Sequence, residues 1–154
     1  MKAEFVEPFV TAAFSVIEMV ANEQCERGPL TVRNGATFTS QELSVVIGVS
    51  GGVAGAVVYG LSRATALKIA SVMVGQRVVE LGEEALSAIG ELGNMITGGA
   101  VTTLSDNGYH CTISPPSLIR GFGVQVTTMA PALLIPVKTR LGRLDINIAL
   151  RLAT

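Results

Sequence analysis

Leu43-Ser-Val-Val-Ile-Gly48-Val-Ser-Gly51-Gly52-Val-Ala-Gly55-Ala-Val-Val-Tyr-Gly60-Leu-Ser62 is the stretch on which the fold turns. It carries no charge, and at roughly twenty residues it has about the length of a bilayer-spanning helix. Its composition argues otherwise. Glycine recurs at 48, 51, 52, 55 and 60, and the remainder is rich in valine. Gly51-Gly52 falls at the centre. Two short apolar runs joined by a Gly-Gly pair predict a β-hairpin, Leu43–Ser50 against Val53–Gly60, and no membrane span.

Outward from the hairpin, the punctuation is clear. Upstream, Phe9, Ala13, Val16, Ile17 and Val20 recur at helical spacing and predict a helix from Phe5 to about Asn22, with Pro8 in its first turns. Gly28-Pro29 breaks the chain, and Thr31 to Phe38 reads as extended, with Asn34-Gly35 as a turn or bulge. Downstream, Ser62 is an N-cap for a helix over Arg63 to Val74, and Gly75 stops it. Gly82 introduces a longer helix, Glu83 to Leu104, whose first-turn carboxylates suit the helix dipole. Asp106-Asn107-Gly108 ends it. Tyr109–Ile113 is a short strand, Ser114-Pro115-Pro116 an extended joint, and Val124–Thr128 another strand. Ala132–Arg140 and Arg143–Arg151 form a second hairpin about Leu141-Gly142. Its last strand alternates: Leu144, Ile146, Ile148 and Leu150 face one way, Asp145, Asn147, Ala149 and Arg151 the other.

This order predicts a single α+β domain over residues 1–154, a mixed, largely antiparallel sheet with long helices packed on it. Helix followed by hairpin occurs in Phe5–Gly60 and again in Gly82–Arg151, two pseudo-repeated halves by architecture rather than by residue identity.

Composition removes several function classes. Charged residues are 15%, apolar residues 49%, and the net charge is −1 with no basic block, so neither disorder nor a nucleic-acid or anionic-membrane footprint is expected. Aromatics at 5% without Trp argue against base stacking. Cys25 and Cys111 stand far apart in no CxxC spacing and read as reduced thiols of a cytoplasmic protein. His110 has no acidic or thiol neighbour at metal-ligand spacing, so no metal site is expected. Glu4 and Glu7 precede the first apolar stretch, unlike a signal peptide.

The long helix holds the candidate chemistry. Ser87, Glu91 and Asn94 stand at i, i+4 and i+7 and form one polar stripe among small and apolar residues. Gly90, Gly93 and Gly98 each weaken a helix by about 1 kcal/mol relative to Ala, so something must approach closely. Two readings stay open on these residues alone. The stripe is a solvated face and the glycines serve helix packing, or the stripe is a docking surface to which a partner's backbone comes near. Glu-x-x-Asn by itself is a weak motif.

Ser87-x3-Glu91-x2-Asn94, followed by Ser114-Pro115-Pro116-Ser117-Leu118-Ile119-Arg120-Gly121 and set in this order of helices and hairpins, resembles the CheC/CheX family of chemotaxis phosphatases. CheC proteins carry the signature in both halves. Here the first helix offers Thr11, Ser15 and Glu18 without the matching Asn, which points to one site and to the CheX branch. The resemblance implies a phosphatase acting on the aspartyl phosphate of a CheY-like response regulator, in chemotaxis or another two-component pathway. Asn94 would orient a water in line with the breaking P–O bond. Glu91 would pair with a lysine of the partner, and Ser87 and Gly98 would belong to the partner-binding surface. Mg²⁺ would be held by the partner, with no cofactor of this chain's own. The resemblance also implies a homodimer formed by extending the sheet; apolar strands with few edge-protecting charges, notably Leu43–Gly60, favour such pairing, and the contact strand stays unassigned.

Two other classes of function compete. One is a module that docks on a response regulator or signalling complex without hydrolysis. The other is a thiol enzyme using Cys111, with His110 beside it in sequence.

Overall fold

The computed structural model describes residues 3–33, 37–39, 42–121, 125–127 and 131–153. Helix α1 (Ala3–Ala21) is followed by three short strands, β1 (Glu26–Arg27), β2 (Thr31–Arg33) and β3 (Thr37–Thr39). The first hairpin is β4 (Leu43–Gly51) and β5 (Val53–Leu61). Helices α2 (Arg63–Val74) and α3 (Glu83–Asp106) come next. Then follow β6 (Cys111–Ile113), β7 (Ser117–Arg120), β8 (Gln125–Thr127) and the second hairpin, β9 (Ala132–Thr139) and β10 (Gly142–Leu152).

The expected caps are present. The Ser62 hydroxyl accepts from the Thr65 amide at 3.1 Å, and Gly75 closes α2 at a φ of 84°. The expected turn or bulge at Asn34-Gly35 lies outside the described residues. Two strands were not foreseen: β1, and β7 directly after the Pro-Pro joint. Both are very short, and each is a strand only because a distant partner pairs with it. Glu26-Arg27 lies against β9, and Ser117–Arg120 lies against β4.

The main sheet runs β1-β9-β10-β5-β4-β6, with β2 also on β9 and β7 also on β4, while β3 and β8 pair separately. Every described pairing is antiparallel. The two hairpins lie side by side through β5 and β10, with Ile146 opposite Tyr59 and Ile148 opposite Val57. Gly55, at a φ of 146°, sits where a Cβ would come within 1.9 Å of the Ala149 carbonyl oxygen, so the backbones approach there as only glycine permits.

The uncharged strands of Leu43–Gly60 favour edge pairing by composition, but neither is an edge. β4 is flanked by β5 on one side and by β6 and β7 on the other, and β5 lies between β4 and β10. The hairpin's lack of charge goes with a central position, with strands on either side, rather than with an edge. Among the described residues the outermost strands are β1 and β2 at one end, β6 and β7 at the other.

One face of the sheet carries Leu43, Val45, Ile47, Val57, Tyr59, Leu61, Ile135, Val137, Leu144, Ile146 and Ile148, all in the core shared with the helices. Phe5, Phe9, Ala13 and Ile17 of α1 join Ala85, Ile89, Leu92, Ile96, Ala100 and Leu104 of α3 there. The alternation of β10 holds, but its second face is not solvated. Asp145, Asn147 and Ala149 are buried, with the Asn147 amide donating to the Val58 carbonyl at 3.2 Å and Asp145 paired to Arg143.

Candidate active site on helix α3

Helix α3 lies on the sheet along one side, and its position is fixed by small residues and one buried hydrogen-bond chain. A Cβ at Gly93 would lie 3.0 Å from Val45 Cγ1 and 3.3 Å from Tyr59 Cδ2, so the helix sits as close to β4 and β5 as a residue without a side chain allows. One turn on, the Thr97 hydroxyl donates to the Gly93 carbonyl at 2.8 Å. Its one hydrogen is then spent, so the buried Tyr59 hydroxyl, 2.7 Å away, donates to Thr97 Oγ1. Burial pushes the Tyr59 phenol well above its ordinary pKa, and the Thr97 bond opposes that shift. Gly99 faces Ala12 of α1, where a Cβ would lie 3.3 Å from the alanine Cβ.

The opposite face of the helix is open. Ser87 and Glu91 are exposed, and Asn94 and Gly98 are half-buried. Ser87, Glu91 and Asn94 line one groove with Glu83, Leu86, Gly90, Pro116, Leu118 and Arg120. Its volume is about 630 Å³. Neighbours one turn apart on a helix stand about 5–6 Å apart at Cβ, so the carboxylate and the amide present themselves to the same incoming surface. Gly98 continues the stripe one turn past Asn94 but does not line the groove, and nothing lies within 4 Å of where its Cβ would be.

The second wall of the groove was not foreseen, because it is β7. Leu118 and Pro116 reach Gly90, where an added Cβ would meet them at 3.4 and 3.6 Å. The glycines of α3 therefore differ in their surroundings. Gly93 admits the sheet and Gly99 lies close against α1, whereas a Cβ at Gly90 would make only ordinary contacts with Leu118 and Pro116 and Gly98 faces open space. The sequence signal for β7 was the Leu118-Ile119 pair next to the Pro-Pro joint.

The cysteines lie elsewhere. The Cys111 thiol is near the carbonyls of Val53 and Tyr109, at 3.6 and 3.5 Å. The neighbouring His110 bonds through Nδ1 to the Ser105 hydroxyl at 2.8 Å. Burial, and then Glu18 and Glu23, push the Cys25 thiol above its ordinary pKa, which disfavours a thiolate nucleophile. Among the described residues no group of three or more His, Cys, Asp or Glu side chains could hold a metal ion. No helix among them is long and apolar enough to cross a membrane.

Comparison with known proteins places this geometry. Residues 43–138, which include the groove-lining part of α3 and all of β7, match the family model described as chemotaxis phosphatase CheX. The CheY-P phosphatase CheX of Thermotoga maritima is 34% identical over 139 residues, covering 89% of this chain and 88% of that protein. The crystal structure of a chemotaxis protein CheX from Desulfovibrio desulfuricans superposes with a TM-score of 0.85 at 28% identity, covering 97% of this chain and 99% of that one. The CheX of a CheX-CheY-BeF3-Mg²⁺ complex from Borrelia burgdorferi superposes with a TM-score of 0.75 at 28% identity, covering 96% of this chain and 97% of that one. Fold, matched segment and sequence identity agree, and the chain belongs to the CheX family of chemotaxis phosphatases.

Proposed function

We infer that this protein dephosphorylates the aspartyl phosphate of a CheY-like response regulator in chemotaxis, and that Asn94 and Glu91 of α3 do the work. The observation that carries the residue assignment is the shared groove, in which one amide and one carboxylate open onto the same surface of a helix braced against the sheet.

Asn94 is half-buried and offers both a carbonyl oxygen and an N–H to a single water, which holds that water in one orientation. The water attacks phosphorus, and the bond between phosphorus and the partner's aspartyl oxygen breaks. Inorganic phosphate leaves, and the partner regains its carboxylate. Water supplies the nucleophile, so no Ser-His or Cys-His pair is needed. Mg²⁺, held by the partner, would offset charge on the phosphoryl oxygens. Glu91 is exposed and available to a cation on the partner, fixing the register of the two proteins. Ser87 borders the docked surface at one end and Gly98 at the other. A response regulator is a cytoplasmic protein, and the cytoplasm is where we place this one.

The test is phosphate release from the phosphorylated response regulator. Asn94→Ala should slow turnover by about 100-fold or more, because alignment of a nucleophile supplies several kcal/mol of the barrier. Turnover at the wild-type rate in that variant would sink the water-positioning mechanism. A wild-type protein that binds the partner but releases no phosphate would establish the docking module instead.

A further inference from the structure

The β7 wall of the groove has no role in the reading above, yet it holds the one cation among the described groove-lining residues, Arg120. We propose that Arg120 is a specificity contact that captures a carboxylate of the docked response regulator. This rests on the docking reading of the α3 groove, and it adds a positive charge to a groove whose carboxylates are Glu83 and Glu91.

The guanidinium is positioned before any partner arrives. Arg120 Nη1 donates to the Leu81 carbonyl at 2.9 Å, in the loop just before α3. An arginine has five N–H donors in a rigid fork, so most of them remain for another acceptor. The salt bridges among the described residues are Arg27–Glu7 and Arg143–Asp145, so Glu83, which lines the same groove, is not paired with Arg120. The side chain is exposed, and its backbone anchor reduces the rotamer freedom that binding must remove. Exposed arginines are common on protein surfaces. This one differs in three respects: it is tethered, it has no carboxylate partner, and it shares a groove with Glu91 and Asn94.

The placement gives the groove polarity. Arg120 grips the chain at the start of α3, while Glu91 lies eight residues beyond Glu83, about 12 Å along the helix axis. Leu118 and Pro116 supply apolar surface on the β7 wall of the same groove. A partner must therefore place an anion on Arg120, clear of Glu83, and a cation near Glu91. A partner docked in reverse, or one with the wrong sign at either point, meets like charges. A carboxylate is the acceptor that fits, because it takes two parallel N–H bonds from a guanidinium fork.

Arg120→Gln removes the charge and, because its amide is shorter than the guanidinium arm, the Leu81 bond as well, so the split between KM and kcat, read beside the melting temperature, separates this role from a structural one. We expect KM for the phosphorylated response regulator to rise roughly tenfold, with kcat within about twofold and an unchanged melting temperature. The dependence of KM on ionic strength should weaken, because one intermolecular charge pair is gone. Arg120→Glu should raise KM further, and replacing one acidic residue on the partner's docking face by Lys should restore part of the loss. An unchanged KM in Arg120→Gln overturns the proposal while leaving the phosphatase reading intact. So does a fall in kcat at constant KM, which would show that Arg120 acts by positioning α3. Should the wild-type protein release no phosphate, affinity for the beryllofluoride-loaded response regulator decides the point by itself. Weaker binding by Arg120→Gln supports the contact, and equal binding overturns it.

Discussion

Asn94 and Glu91 differ in exposure although they share one stripe, and the difference predicts separate phenotypes. Asn94 is half-buried and would meet a water held between the two proteins, so Asn94→Ala should leave partner affinity largely intact while turnover falls. Glu91 is exposed and would be covered by a docked partner. Truncating one member of a charge pair that becomes desolvated costs about 2–5 kcal/mol, so Glu91→Ala should lose both affinity and turnover. Titration of each variant with the beryllofluoride-loaded response regulator, beside phosphate release, reads the two effects apart. Circular dichroism should show native helix in both. The thiols provide the contrast. Cys25 has its thiol pushed above the ordinary pKa by burial and by Glu18 and Glu23, and Cys111 lies against backbone carbonyls of β5 and the segment before β6. Above neutral pH the thiolate fraction of Cys25 rises later than that of a free cysteine, so its reaction with a thiol reagent should be slow at pH 7 and accelerate only at alkaline pH. Replacing both cysteines by Ser should leave activity per folded molecule within about twofold, even where stability falls. Lost turnover with intact folding would favour the thiol enzyme.

At the scale of the element, α3 is a helix whose glycines are unequal. Gly93→Ala gains about 1 kcal/mol of helix propensity but drives a methyl into Val45 and Tyr59, where overpacking costs about 1–3 kcal/mol. We expect a lower melting temperature and, because Asn94 is the next residue, a loss of activity with it. Gly98→Ala meets nothing within 4 Å and should stabilise the protein by about 1 kcal/mol. If a partner's backbone comes close at Gly98, the same methyl should weaken docking. Higher stability with poorer partner binding is the expected pair of results, and unimpaired binding would remove Gly98 from the docking surface. The presence of this helix was legible in the sequence. Gly82, the first-turn carboxylates and Asp106-Asn107-Gly108 bracket it, and these are local signals. What each glycine was for was not legible, because Val45 and Ala12 come from distant parts of the chain.

Among the described residues the proposed site lies at one end of the sheet, and β1 and β2 are the outermost strands at the other. The groove is walled by β7, which pairs with β4 at one end, whereas β2 lies beyond β9 at the other. The β6–β7 edge is interrupted by Pro115-Pro116, neither of which has an N–H to give a neighbouring strand. Around β2, Leu30 and Val32 are exposed at 42% and 54%. We therefore expect the homodimer to form through the β2 edge, which would leave both grooves open. Sedimentation equilibrium at micromolar concentration should give a dimer, and Leu30→Lys with Val32→Lys should give a monomer that still releases phosphate, since charge on an edge strand blocks pairing. A wild-type monomer would remove this assembly.

By itself the sequence determined everything whose cause is local. The glycine pair of the first hairpin excluded a membrane helix, Ser62 and Gly75 bounded α2, and the i, i+4, i+7 spacing put Ser87, Glu91 and Asn94 on one face. Only the tertiary structure decided which strands are neighbours. It put the uncharged Leu43–Gly60 at the centre of the sheet, buried the second face of β10, and made a strand of Ser117–Arg120. Pairing energy comes from partners far along the chain, and a short segment carries little record of the strand that will lie beside it. The groove forms between a helix legible from its own residues and a strand that exists only by its pairing, so half of the candidate site could be read in advance and Arg120 could not.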